Sequence, residues 1–439
     1  MEIKDLYKEL ESKKKRIAII GLGYVGLPLL IAFNKHFQII GFDTNNEKIN
    51  DLKNGIDENK EIEVDELSSL NYLLTSNVNE LKNVNFFIIA VPTPIDNYKN
   101  PDLSHIEKAT MLVGQNMPEG SVVVYESTVY PGVTEEFCIP LLEKESGLKN
   151  RKDFYVGYSP ERINPGDKEH SMENIIKVVS AQTESSLDII SKVYGKVVKA
   201  GIFRAKSIKV AEAAKVIENT QRDINVALIN ELAILFSKLR IDTKEVLEAA
   251  RTKWNFLHFT PGLVGGHCIG VDPYYLSFKA REINYYPDMI NAGRKINDNM
   301  GFFIGEQILE TLLKNHHKPI NFKVVLFGIS FKENVADSRN SRVIDIYNYL
   351  IQHNIDVQIF DPIVNAKEVK KYYGIDLIKF EEVNNIDAAI FCVAHNCFKE
   401  MDLLELKSKM AGGNPFIFDI KWMFNRESIE KLGYKYWRI

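Results

Sequence analysis

The chain has 439 residues, of which 45% are hydrophobic and 26% charged, with a net charge of −4. Those values exclude a largely disordered chain and a global basic field for nucleic acid, and the length exceeds one core, implying two or three domains. No run approaches the roughly 18–20 apolar residues of a membrane helix. Met1 to Arg16 lacks an apolar signal core and reads as a short polar helix, with Lys13 to Lys15 as a solvated lead-in, so a cytoplasmic protein is expected. Cys138, Cys268, Cys392 and Cys397 lack C-x-x-C spacing and are too sparse for a disulfide scaffold; reduced thiols are expected.

In chain order, the first strand is Arg16 to Ile20, leading directly into Gly21-Leu22-Gly23-Tyr24-Val25-Gly26. A helix to about His36 and a second strand, Gln38 to Phe42, complete a βαβ unit ending at Asp43. That context turns a weak glycine pattern into a dinucleotide fingerprint. Gly21 allows the tight turn, Gly23 lets the pyrophosphate approach the backbone, and Gly26 lets helix and strand pack; Tyr24 and Val25 lie on the same loop. The helix N-terminus faces the phosphates. Asp43 is placed to accept from the ribose hydroxyls and to repel a 2′-phosphate, which favours NAD over NADP.

Further strands are expected at Val84 to Val91, Ser121 to Tyr125 and Phe154 to Tyr158, giving a doubly wound parallel sheet over about residues 1–200. Pro92-Thr93-Pro94 and Ser127-Thr128 follow strand ends, on the edge where open α/β sheets bind ligands. From Ala205 to Leu239 the pattern is one long helix carrying Lys215 and Asn219 one turn apart on one face. A central helical region, 201–315, contains Gly265-Gly266-His267-Cys268 and then Asp272. A thiolate in a glycine-packed turn can hold an aldehyde covalently, which points to a two-step oxidation ending in an acid. Strands at Phe322 to Gly328, Val357 to Asp361, Ala388 to Ala394 and Phe416 to Asp419 imply a second parallel sheet in 316–439, without a full G-x-G-x-x-G. The expected architecture is therefore α/β: two Rossmann-like, doubly wound domains joined by a long central helix.

Together with Val91-Pro92-Thr93-Pro94, Glu126-Ser127-Thr128, Ser159-Pro160-Glu161-Arg162 and Gly328-Ile329-Ser330-Phe331-Lys332-Glu333, these motifs make the chain resemble the UDP-glucose/GDP-mannose dehydrogenase superfamily over nearly its whole length. The resemblance implies oxidation of a sugar C6 alcohol to a carboxylate with two NAD and one water. It assigns Cys268 as thioester-forming nucleophile, Lys215 and Asn219 as partners stabilising the oxyanion, and Asp272 as organiser of water and charge around the thioester. Glu161 matches a base for hydrolysis and Thr128 a holder of the water. Lys332 and the Asp419-x-Lys421 segment match positions that grip the UDP diphosphate or sugar, Lys421 standing where relatives often have arginine.

Val271 in place of a lysine, Arg162 and Ile163 in place of Phe-Leu, and His267 before the cysteine resemble the branch acting on UDP-N-acetylhexosamines, with UDP-GlcNAc or UDP-GalNAc expected ahead of UDP-ManNAc or UDP-glucose. His267 is expected to contact substrate or activate the thiol rather than bind a metal. A homodimer or higher homo-oligomer is implied, the long helix being shared. Two other readings remain open: a two-electron dehydrogenase of the β-hydroxyacid or 6-phosphogluconate type, and a catalytically silent nucleotide-sugar sensor.

Overall fold

The computed structural model describes residues 3–57, 72–163, 171–315, 322–412 and 415–439. It separates into two compact units, one formed by Met1–Glu218 with Tyr274–Tyr286, the other by Asn219–Pro273 with Pro287–Ile439. The expected start of the last domain, at 316, lies outside the described residues.

Among the described residues the first unit has eight strands: β1 (Arg16–Ile20), β2 (Ile39–Phe42), β3 (Leu73–Thr75), β4 (Val84–Ile89), β5 (Ser121–Tyr125), β6 (Phe154–Tyr158), β7 (Lys177–Ala181) and β8 (Ile202–Arg204). Their order is β3-β2-β1-β4-β5-β6-β7-β8. Pairing is parallel except between β6 and β7. Every residue of β4 and β5 is buried, as a strand covered on both faces requires. Alternate residues feed two cores: Ile17, Ile19, Phe86 and Ile88 on one face, Ala18, Ile20, Phe87 and Ile89 on the other. Strand order reverses between β1 and β4, the switch point where such sheets open a ligand crevice beyond their carboxyl ends.

The second unit carries β9 (Lys323–Phe327), β10 (Asp356–Phe360), β11 (Ala388–Phe391), β12 (Phe416–Asp419) and β13 (Lys435–Arg438). All are parallel, in the order β10-β9-β11-β12-β13, so the switch point falls between β9 and β11. Val324, Leu326 and Ile390 pack on one face; Val325, Phe327, Ala389 and Phe391 pack on the other.

The long helix runs Ile208–Leu239, 32 residues, starting three residues later than its pattern suggests because Ile202–Arg204 pairs as β8 beside β7. Sequence patterning overlooked four strands: β3 and β8 have three residues each, β13 is half-buried throughout, and β7 has five residues that are mostly buried. No helix among the described residues is long and apolar enough to cross a membrane.

Candidate active site

In the first unit the glycine loop follows β1. Gly21 has φ +92°, which favours glycine, and a Cβ on Gly26 would stand 1.8 Å from the Gly21 carbonyl oxygen, so the close helix–strand contact tolerates no side chain. A Cβ on Gly23 would meet nothing within 4 Å, which leaves the open approach a pyrophosphate needs. Tyr24 and Val25 are half-buried beside it. Asp43 closes β2: its Oδ2 accepts the Leu22 N–H at 3.0 Å and its Oδ1 accepts the Asn45 N–H at 3.0 Å, while Lys48 lies 3.8 Å away. These residues fit a dinucleotide.

The loops after β4 and β5 are laced together. Thr93 donates its hydroxyl to the Thr128 carbonyl at 2.6 Å, Ser127 donates to the Val91 carbonyl at 2.7 Å, and the Tyr275 hydroxyl donates to the Thr93 carbonyl. Pro92 is exposed beside them. Glu212 of the long helix, buried in a stretch that reads as small and apolar, accepts the N–H groups of Gly132 at 2.6 Å and Thr134 at 2.9 Å. Burial raises its carboxyl, and those amides pull against the rise. Lys215, one turn along, is buried. Arg162 spans the Glu218 carboxylate, at 2.8 and 3.3 Å, and the Ile176 carbonyl at 2.9 Å. Glu161 is buried, its Oε1 accepting the N–H groups of Arg162 and Ile163 at 2.6 and 2.7 Å.

In the second unit, Cys268 is exposed on the glycine turn. Gly266 has φ +81°, and a Cβ there would stand 2.7 Å from the Phe331 ring. The Cys268 carbonyl accepts the N–H of Asp272 at 2.8 Å, opening the helix Asp272–Glu282. Asp272 is buried and accepts from the Asn219 side chain at 2.5 Å. Cys268, Asp272 and Asn219 are thereby linked. The other end of the turn is clamped by Asn230, which donates to the Gly262 carbonyl at 3.0 Å and accepts the Gly262 N–H at 2.8 Å. Asn230 also donates to Asn297 at 2.8 Å.

The other thiols differ in environment. Burial pushes Cys138 up to about 12 and Cys392 higher still, which leaves neither suited to act as a thiolate. His267 shares a hydrogen bond with Asp337 at 3.1 Å, and Arg339 holds the same carboxylate at 2.7 Å. Burial alone would raise Asp337; the bonds from His267 and Arg339 hold it well below the usual range.

A shallow cleft opens beyond the β9/β11 switch point, lined by Ser330, Phe331, Lys332, Val393 and Lys421 together with Gly265 of the cysteine turn. Lys421 stands 4.0 Å from Glu333. Burial pushes the Glu333 carboxyl up, but Lys421, Lys332 and Lys399 leave it lowered. Cationic lining at a switch point suits a diphosphate.

Three family models match in register: the NAD binding domain of the UDP-glucose/GDP-mannose dehydrogenase family over residues 15–198, its central domain over 209–299 and its UDP binding domain over 325–426. The chain belongs to the UDP-glucose/GDP-mannose dehydrogenase family. It is 51% identical over 413 residues, 94% of this chain and 97% of the relative, to a UDP-N-acetyl-D-glucosamine 6-dehydrogenase of Salmonella typhi. It is 48% identical to one of Pseudomonas aeruginosa, over 94% of this chain and 98% of the relative. Among solved structures, a UDP-D-ManNAc dehydrogenase from Pyrococcus horikoshii matches with TM-score 0.86 at 31% identity, covering 97% of this chain and 99% of that one. As a member of this family the chain is an NAD-dependent nucleotide-sugar dehydrogenase with two Rossmann-like sheets and a long central helix.

Sequence reasoning singled out the motif residues but missed their supports. Glu212, Asn230 and Asp337 each pair with a residue far away in the chain, so spacing gives no signal for them, and Arg339 is drawn in through Asp337. The run Asp337-Ser338-Arg339, five residues after Lys332, was the one readable clue.

Proposed function

We propose that this dehydrogenase oxidises the C6 hydroxyl of a UDP-N-acetylhexosamine, UDP-GlcNAc or UDP-GalNAc, to the carboxylate through a thioester on Cys268. The observation that carries the reading is the exposed Cys268 on a glycine-packed turn, bonded through Asp272 to Asn219. The 51% identity to a UDP-N-acetyl-D-glucosamine 6-dehydrogenase supports the choice of sugar. So do Arg162, His267 and Val271, which follow the acetamido-sugar pattern.

NAD, when bound, supplies the hydride acceptor for both oxidations. The Gly21, Gly23 and Gly26 loop would hold its pyrophosphate and Asp43 its ribose, with Thr93 and Thr128 beside it. Lys215 and Asn219 donate to the oxygen as negative charge develops, an effect worth roughly 3–4 kcal/mol for a well-placed donor. The Cys268 sulfur adds to the aldehyde carbon, giving a thiohemiacetal whose oxidation leaves a thioester. Asp272 keeps Asn219 aimed and balances the local charge. Thr128 holds the water, and Glu161 takes its proton as the water oxygen bonds to the thioester carbon and the sulfur leaves. Lys332 and Lys421 bind the diphosphate as point charges, and His267, steadied by Asp337, contacts the sugar or the thiol.

Incubation with NAD and a panel of UDP-sugars tests the whole reading. UDP-GlcNAc or UDP-GalNAc should give the highest specificity constant, with two NADH and one uronic acid per sugar by mass analysis. Preference for UDP-glucose or UDP-ManNAc would overturn the substrate assignment. A yield of one NADH per sugar, with no acid, would instead mark a two-electron dehydrogenase.

A further inference from the structure

Beyond its strand ends the first unit buries three charged side chains together. Lys177, the first residue of β7, is 3% exposed, and Glu126, which follows β5, is 1% exposed; Glu161 is buried beside them. The Lys177 ammonium donates to Glu126 Oε2 at 2.6 Å and to Glu161 Oε2 at 3.3 Å. Tyr194 donates its hydroxyl to Glu126 Oε1 at 2.6 Å, and its ring lies 5.5 Å from the ammonium. With Arg162 and Ile163 donating to Glu161 Oε1, that carboxylate is fixed by three donors, and one lone pair of Oε2 is left over. The proposed chemistry uses Glu161 and leaves Lys177 and Glu126 without a task. Apolar side chains would fill such a space at equal or lower cost, so the charges have a use other than packing.

We propose that Lys177 is a positioning residue for the hydrolytic half of the reaction: it holds Glu161 in the orientation that accepts the water proton, and Glu126 is the counter-carboxylate that anchors the ammonium. The inference rests on the thioester reading. In the step itself the proton passes from water to Glu161, the water oxygen bonds to the thioester carbon, and the C–S pair returns to Cys268; Lys177 keeps its protons throughout. Burial pushes Glu126 up to about 7, with Lys177 pulling it down and Glu161 pushing it further up. The groups facing it are Lys177 from β7, Tyr194 from the helix Glu184–Gly195, and Glu161 from the segment after β6. As pH rises through that value Glu126 ionises and takes a larger share of the lysine's charge. Proton transfer to Glu161 then becomes easier, so acid release should accelerate across that window.

The test combines Lys177→Met with rapid quench and intact-protein mass analysis, using NAD and the preferred UDP-sugar. A first turnover yielding two NADH per site at near wild-type rate is expected, followed by acid release slowed roughly 10²-fold or more, with a covalent adduct accumulating on Cys268. Glu161→Gln serves as the reference and should trap the same adduct. If Glu161→Gln traps it while Lys177→Met, folded and binding NAD, releases acid at the wild-type rate, the positioning role is overturned and the thioester reading stands. If neither variant traps an adduct and Cys268→Ser still makes acid, the thioester reading itself fails. Should Lys177→Met not fold, Glu126→Gln keeps the size and one oxygen to accept from the Lys177 ammonium while removing the charge. It should slow acid release and flatten its rise with pH, and an unchanged profile would overturn the proposal.

Discussion

Four thiols of identical chemistry acquire different prospects from their surroundings. Cys138 and Cys392 are buried, and burial raises both; Cys268 is exposed. Iodoacetamide at mildly alkaline pH should therefore label Cys268 and the exposed Cys397 while sparing the other two, as peptide mapping would check. Cys268→Ser offers a far weaker nucleophile of similar size. Net acid production should fall by several orders of magnitude while UDP-sugar affinity, measured by calorimetry, changes little. Normal acid formation by this variant would remove the covalent mechanism. At this scale the motif residues are legible in the sequence and their hydrogen-bond partners are not. Cys268 stands in a run of glycines that any reader notices. Lys177, by contrast, sits in an ordinary strand beginning Lys-Val-Val, and its ion pairs reach back to Glu126 and Glu161 across segments with no shared spacing.

The strand–loop junctions of the two sheets repeat one construction. Gly21 follows β1 with φ +92°, and Gly328 follows β9 with φ +93°. The N–H of Gly21 donates to Phe42 at 2.9 Å, and that of Gly328 donates to Phe360 at 2.9 Å. Asp43, after β2, ties down Leu22; Asp361, after β10, ties down Ile329 at 2.7 Å and Ser330 at 3.2 Å. Asp361 also meets His395 at 3.3 Å. Burial raises Asp361, but the bonds from His395 and the backbone amides outweigh it and leave it lowered. A lowered carboxylate contributes stability that is fully present above the ordinary aspartate value, about 3.9, and is lost as pH falls through its own lower value. Thermal melts should therefore show the wild type losing stability below about pH 4, with a shallower acid slope in Asp361→Asn. The variant should also be less stable at neutral pH by about 1–3 kcal/mol. Equal acid slopes would show that this carboxylate is not the group responsible. Periodicity made most of the longer strands of both sheets legible to within two or three residues. It was silent on β3 and β8, whose three residues carry too little pattern, and on β7 altogether, whose reversed direction only pairing defines.

Taken whole, the chain leaves apolar side chains exposed along its longest helix: Val210, Ile217, Leu228, Leu235 and Leu239 are each about half exposed or more. Large apolar groups repeated along one element mark an association surface, and we propose a homodimer that shares this helix. Light scattering should give twice the 50.2 kDa chain mass or a multiple of it. Ile217→Lys with Leu228→Lys should lower that mass, and a wild-type monomer at micromolar concentration would refute the proposal. The division into units carries a further consequence. The chain passes from one unit to the other after Glu218, after Pro273 and after Tyr286. Cys268 lies between the first two crossings, so its segment is flanked at both ends by chain belonging to the other unit. A cut at any one bond therefore leaves chain of both units together on at least one fragment.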